Sequence, residues 1–261
     1  MREHLAEYAI EALLLGLFML SAGVVTTAFE APGSPLREAI ASPLTRRALI
    51  GAGMGLTAIA LVYSPLGKRS GAHMNPAITL AYLRLGKLAS RDALAYAAAQ
   101  VAGGIAGVAV VAALLGNPFE SAPVTWIATL PGVAGPGIAF AAEVAISFGM
   151  MGAALVFTSA PRLAPYTGLC CGALVALYIT FEAPLSGMSM NPARSLASAL
   201  FPGLWRDLWI YFAGPPLGML LAAETYRGLR GAARVHCAKL QHSDRHRCIF
   251  CGFEPRTGGA P

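Results

Sequence analysis

The stretch Gly71-Ala72-His73-Met74-Asn75-Pro76-Ala77 returns in altered form as Gly187-Met188-Ser189-Met190-Asn191-Pro192-Ala193-Arg194, and the reading of these two copies decides the fold. Both lie between long apolar runs and are too polar and too broken by proline to belong to a membrane-crossing helix. Each reads as a helix start. Asparagine is a favoured cap, and proline at the first helical position sacrifices no hydrogen bond. The helices predicted to follow, over 78–85 and 193–200, are about two turns long and fall far short of a bilayer. Each segment must therefore enter and leave on the same side. A helix start exposes unpaired N–H groups and carries partial positive charge. Two of them meeting inside a bilayer are tolerated only beside protein or a water-filled cavity.

The surrounding composition supplies the membrane. Of the 261 residues, 56% are hydrophobic and 12% charged, with a mean hydropathy of +0.60, which a soluble domain of this size would struggle to keep dispersed. Apolar runs of roughly the 20 residues a span needs occur at 12–29, 48–67, 93–119, 121–142 continuing past Glu143 to Pro161, 163–181 and 208–223. Six spans are expected, with spans 3 and 4 joined by a proline-rich loop over 116–137. Glu7 and Glu11 interrupt the start of the first, which therefore reads as a retained span and not as a cleaved signal.

Charge placement orients the chain. If the N-terminus, the connections between spans 2 and 3 and between spans 4 and 5, and the C-terminal tail share one side, that side holds 14 of the 19 Lys and Arg, including Lys68, Arg69, Arg84, Lys87, Arg91 and Arg256. Positive charge collects on the cytoplasmic side, so both termini are expected there. The net charge of +6 does not point to nucleic acid, because no basic stretch is interleaved with aromatics.

The two halves repeat. Glu11 and Glu143 are each expected to begin a span, and Leu15/Ser147, Met19/Met151 and Ala22/Ala154 fall at matching distances from them. Three spans per copy force opposite orientations, giving inverted halves over about 5–116 and 137–228 within a channel-like domain, 1–228. A basic tail, 229–261, has no repeat counterpart. Gly-x3-Gly pairs at Gly51/Gly55, Gly103/Gly107, Gly168/Gly172 and Gly214/Gly218 favour a tightly packed bundle. An ion-coupled transporter would also use inverted repeats and broken helices, but it calls for a carboxylate or histidine at mid-membrane. For Glu11 and Glu143, snorkelling to the surface is the alternative to a buried role. No catalytic constellation is evident, so an enzyme is not expected.

With both motifs, the paired glutamates and the inverted halves in view, residues 5–228 resemble the major intrinsic protein family, the aquaporins and aquaglyceroporins. The resemblance implies an all-α membrane protein of six transmembrane helices and two re-entrant half-helices in an inverted repeat. It further implies a homotetramer in the lipid bilayer with one pore per subunit. Function would be a passive channel for water or another small neutral solute, with a glycerol-type facilitator as the alternative. Carried over residue by residue, Asn75, Pro76, Ala77, Asn191, Pro192 and Ala193 would form the central constriction, the two asparagines donating amide hydrogens to the permeant. Arg194 would stand in the outer filter with Met188, Ile179 and either Met54 or Gly55. Glu11 and Glu143 would brace the re-entrant backbones, and His73 falls at the family's first-loop histidine. Ile179 and Met188 depart from the strict water-selective pattern, whereas Ser195, Ala199 and Tyr211-Phe212 follow it.

In the tail, His236, Cys237, His242, His246 and Cys248-x2-Cys251 place three thiols and three imidazoles within 16 residues. Cys237, Cys248, Cys251 and His242 make a candidate tetrahedral zinc site. A solvated basic tail whose thiols stay reduced is the alternative. No other cofactor is expected.

Overall fold

The computed structural model describes residues 2–242 and 245–254, so Arg256 of the charge pattern lies outside the described residues. Eight helices carry the architecture: α1 (Leu5–Glu30), α2 (Pro43–Tyr63), α3 (Pro76–Arg84), α4 (Ser90–Leu115), α5 (Pro136–Thr158), α6 (Thr167–Phe181), α7 (Pro192–Leu200) and α8 (Trp209–Arg230). Among the described residues, α1, α2, α4, α5 and the stretch Ala164–Phe181 are long and apolar enough to cross a membrane. The sixth crossing is α8, whose 22 residues are interrupted by Pro215 and Pro216. At about 1.5 Å per residue it still spans a bilayer. The half-helices α3 and α7 have 9 residues each.

Helix pairing explains the glycines. In the first half α1 packs on α4, in the second α5 packs on α8, and α2 on α6 joins the halves. Each seam brings backbones together at the predicted small residues. A Cβ on Gly107 would lie 2.4 Å from the Gly16 carbonyl oxygen, one on Gly55 2.5 Å from that of Gly172, and one on Gly218 2.3 Å from that of Val144. No side chain fits in those gaps. The half-helices then interlock the repeats, since α3 packs against α8 and α7 against α4.

Four expectations need correction. Residues 121–135 are apolar but do not begin a span: α5 starts at Pro136, and the preceding loop carries short turns at Asn117–Glu120 and Thr125–Ile127. Its hydrophobicity serves the interior instead, since Phe119, Val124 and Ile127 are buried. Glu11 and Glu143 do not begin their spans. They sit about two turns inside α1 and α5 and are fully buried at 0% exposure, which rules out snorkelling. The second apolar run, 48–67, does not continue as one helix to its end: α2 stops at Tyr63, and Ser64 caps a separate short helix, Pro65–Ser70. The tail, finally, returns to the bundle and packs against the first re-entrant segment.

Candidate functional site

The re-entrant segments are built on backbone conformations that L-residues avoid. Ala72 and Met188, and Met74 and Met190, all have φ between 47° and 55°, and each segment opens on a left-handed glycine, Gly71 or Gly187. Such a residue costs about 1–2 kcal/mol, so something must hold the four in place. The buried glutamates do so. Glu11 accepts from the backbone N–H groups of His73 (3.1 Å) and Met74 (2.6 Å), from Ser70 Oγ (2.7 Å) and from Gln100 Nε2 (2.9 Å). Glu143 accepts from the N–H groups of Ser189 and Met190, both at 2.7 Å, and from Ser186 Oγ at 2.7 Å. Tyr96 and Tyr211 complete the pattern by donating to the carbonyls of Ser70 (2.7 Å) and Ser186 (2.5 Å).

Past the glutamates the two asparagines meet. The Asn75 side-chain oxygen caps α3 through Ala77 N–H (2.8 Å), and that of Asn191 caps α7 through Ala193 and Arg194 (3.1 and 3.3 Å). Because the oxygens face their own helices, the amide nitrogens face across. Asn75 Nδ2 donates to the Met190 carbonyl at 2.6 Å, and Asn191 Nδ2 donates to the Met74 carbonyl at 2.7 Å. A primary amide has two N–H donors, so one remains on each asparagine.

Beside the asparagines runs a cavity of about 480 Å³. It extends from Glu30, Arg46 and Arg47 at one face, past Arg194, Ile179 and Met188, to Val62, Cys171 and Leu240 near the face that carries the termini. Of the two candidates in span 2, Met54 lines it, whereas Gly55 lies in the seam with Gly172. Arg194 is pinned by its guanidinium to the Ile127 carbonyl (2.7 Å) and Ser198 Oγ (3.3 Å). Pro76, Ala77, Pro192 and Ala193 form the helix starts behind the lining.

Comparison with known proteins agrees with this geometry: a model of the family described as "Major intrinsic protein" matches residues 1–226. The chain belongs to the major intrinsic protein family. It is a family of membrane channels, not of enzymes. Among curated relatives, "Aquaporin NIP1-3" of Oryza sativa subsp. japonica is 40% identical over 178 residues, covering 67% of this chain and 60% of the relative. "Aquaporin NIP3-1" of Arabidopsis thaliana is 33% identical over 202 residues, covering 73% and 62%. The matches thus span about three fifths of these relatives' length. The fold is also that of the aquaglyceroporin from Plasmodium falciparum, with a TM-score of 0.73 at 18% identity, covering 88% of this chain and 98% of that one.

The tail of this family member brings Cys237, His242, Cys248 and Cys251 together, their ligand atoms all within 4.8 Å of one another. Cys237 Sγ is 3.3 Å from Cys248 Sγ, and His242 Nε2 is 3.4 Å from Cys251 Sγ. The hydrogen bond between Cys237 and Cys248 shares one proton, raising the first thiol's pKa and depressing the second's. Next to this cluster His73 is fully engaged. Its Nδ1 pairs with Thr79 Oγ1 at 3.0 Å, its Nε2 with the Ala238 carbonyl, and its ring lies between Tyr82 and Phe250.

Sequence reasoning missed Tyr96, Gln100 and the Ser70/Ser186 pair, and named Tyr211 as a family marker without its bond to the Ser186 carbonyl. One signal was available: Ser-Gly precedes both motifs at the same distance from the asparagine.

Proposed function

We propose that the chain is a passive channel for water or another small neutral solute. The observation that carries this reading is the continuous cavity passing both asparagine-capped helix starts and Arg194. A permeant at the centre meets the remaining N–H of each asparagine amide and turns its oxygen toward them. A cation arriving there would exchange hydration for two positive helix ends, after passing Arg194. No carboxylate lines the central stretch among the described residues: Glu11 and Glu143 stand behind the re-entrant backbones, and Glu30 is ion-paired with Arg46 (3.0 Å) at the far mouth. His73, which does border the cavity, has both ring nitrogens paired, with Thr79 and the Ala238 carbonyl. That argues against ion coupling. The relatives named as aquaporins support the channel reading.

The filter residues we assign are Arg194, Met188, Ile179 and Met54. Two methionines and an isoleucine facing one arginine make a predominantly apolar collar, which favours a glycerol-type solute as the second reading. We assign the face holding the termini to the cytoplasm on the distribution of Lys and Arg, and assembly to a homotetramer on family grounds. Stopped-flow light scattering on proteoliposomes challenged with water, glycerol and urea tests the function. Permeability to at least one is expected well above that of empty vesicles, and equality for all three both with and without a membrane-permeant zinc chelator would refute the channel.

For the tail we propose a zinc ion held by Cys237, His242, Cys248 and Cys251. Tetrahedral bonds of 2.0–2.3 Å set neighbouring ligand atoms about 3.5–3.8 Å apart, and the four gathered here need only small adjustments to comply. Elemental analysis of the purified chain should find one zinc per subunit, and none in Cys248→Ser.

A further inference from the structure

The tail does more than gather four ligands. Its intervening residues lie against the first re-entrant segment, and the pore cavity ends on them. Leu240, only 4% exposed, borders both the 480 Å³ pore cavity and a separate cavity of about 80 Å³ lined by Thr158, Ala164, His236, Cys237, Lys239 and His242. It therefore stands as the partition between the pore and the tail. Its backbone N–H is fastened to the Gly71 carbonyl at 3.1 Å.

Every anchor of this partition falls between two of the candidate ligands in sequence. Between Cys237 and His242, Ala238 accepts from His73, Lys239 reaches the Lys68 carbonyl with Nζ (3.0 Å), and Leu240 lines the end of the cavity. Between Cys248 and Cys251, the ring of Phe250 stacks on His73 with centroids 5.6 Å apart. Lys239 is 1% exposed, and its ammonium satisfies the carbonyl end of the short helix Pro65–Ser70. Two short loops with no regular secondary structure thus hold the seal. A segment of this size has too little core to keep one shape unaided, and metal ligation is the usual remedy.

We propose that the tail is a metal-dependent gate. A thiophilic divalent cation of the zinc type, bound by Cys237, His242, Cys248 and Cys251, fixes both loops so that Phe250 stays stacked on His73 and Leu240 closes the cytoplasmic mouth. Loss of the metal frees the loops and opens the pore. This inference rests on the zinc reading of the tail and on the channel reading of the cavity. It adds a regulator to them. The control runs one way: the metal sits outside the conduction path and acts only through the loops that its ligands bracket.

The test uses the full chain in proteoliposomes loaded with zinc, with zinc content measured on the same samples. Water permeability is compared before and after a membrane-permeant zinc chelator, and in Leu240→Ala and Cys251→Ser. Removing the metal should raise permeability about tenfold, the change expected when a mostly closed population becomes mostly open. Cys251→Ser should be open and should not respond to the chelator. Leu240→Ala should retain one zinc per subunit yet conduct at the chelated level, an outcome that a merely stabilising metal would not produce. One zinc per subunit with permeability unchanged by chelation and by Leu240→Ala would overturn the gate while leaving the metal site standing. Absence of bound zinc in the wild-type chain would overturn both, with the channel reading untouched.

Discussion

The two re-entrant segments are built alike and covered differently. Over 70–77 and 186–193 the serine, the left-handed glycine, the buried glutamate, the tyrosine and the asparagine cap occupy equivalent places and make equivalent bonds. Above them the equivalence ends. The second segment is roofed by the loop before α5, where Thr129 bonds Ser195 (2.7 Å), Ile127 holds Arg194, and Gly132 N–H reaches the Leu185 carbonyl (2.9 Å). The first is roofed by the tail, where Leu240 N–H reaches Gly71 and Ala238 meets His73. What braces the backbone is shared by both halves. The groups proposed to decide passage have no counterpart in the other half: the guanidinium of Arg194 at one mouth and Leu240 at the other.

The comparison can be broken most forcefully at the shared braces. Glu11→Ala and Glu143→Ala each strand two buried N–H groups and a serine hydroxyl, and each should cost about 3–5 kcal/mol. Thermal unfolding in detergent should show both variants severely destabilised or unable to accumulate. A large loss in one half beside tolerance in the other would break the equivalence. A smaller matched effect is expected at the seams. Gly107→Val and Gly218→Val force a side chain against a facing carbonyl and should cost about 1–3 kcal/mol each. Gly137→Ala, with nothing within 4 Å of the added carbon, should be nearly silent.

The unshared features should move transport instead of stability. Ile78 occupies the first-half place that Arg194 holds in the second, so the filter charge has no twin. Arg194→Ala should raise glycerol or urea permeation relative to water by about tenfold, a barrier change near 1.4 kcal/mol. An unchanged solute profile would remove Arg194 from the filter. The smallest expected change is at the fixed roof. Thr129→Val deletes one hydrogen bond to Ser195 and should cost about 1 kcal/mol, with the response to zinc chelation the same as in the unaltered chain.

Much of this was legible because membrane burial restricts what polar residues can do. A repeated Asn-Pro-Ala between apolar runs, two glutamates at matching offsets and four Gly-x3-Gly pairs each have few structural uses in lipid: the asparagines cap the half-helices, the glutamates accept from the re-entrant backbones, and the glycines lie in the seams. Other features had no such restriction. Hydropathy alone counted 121–135 into a span, because its buried Val124 and Ile127 are as apolar as a helix face, although the prolines over 116–137 marked a loop there. Glu11 was placed too near a helix end because α1 begins at Leu5, before its apolar run, and Glu143 because the run from 121 gave no sign that α5 starts at Pro136. The tail's contacts were invisible for a different reason. Leu240 and Phe250 stand in a basic, aperiodic stretch, and only the chain's return to Gly71 and His73 gives them a place.

The exchanged bonds of Asn75 and Asn191 have one further consequence, for how the pore comes into being. Each amide finds its acceptor more than a hundred positions away, at separations of 115 and 117 residues. While the chain is being inserted, the first half-helix is therefore laid down without a mate and waits through three more crossings. The hole is an emergent product of both halves: neither, expressed by itself, contains the acceptor that completes its own asparagine.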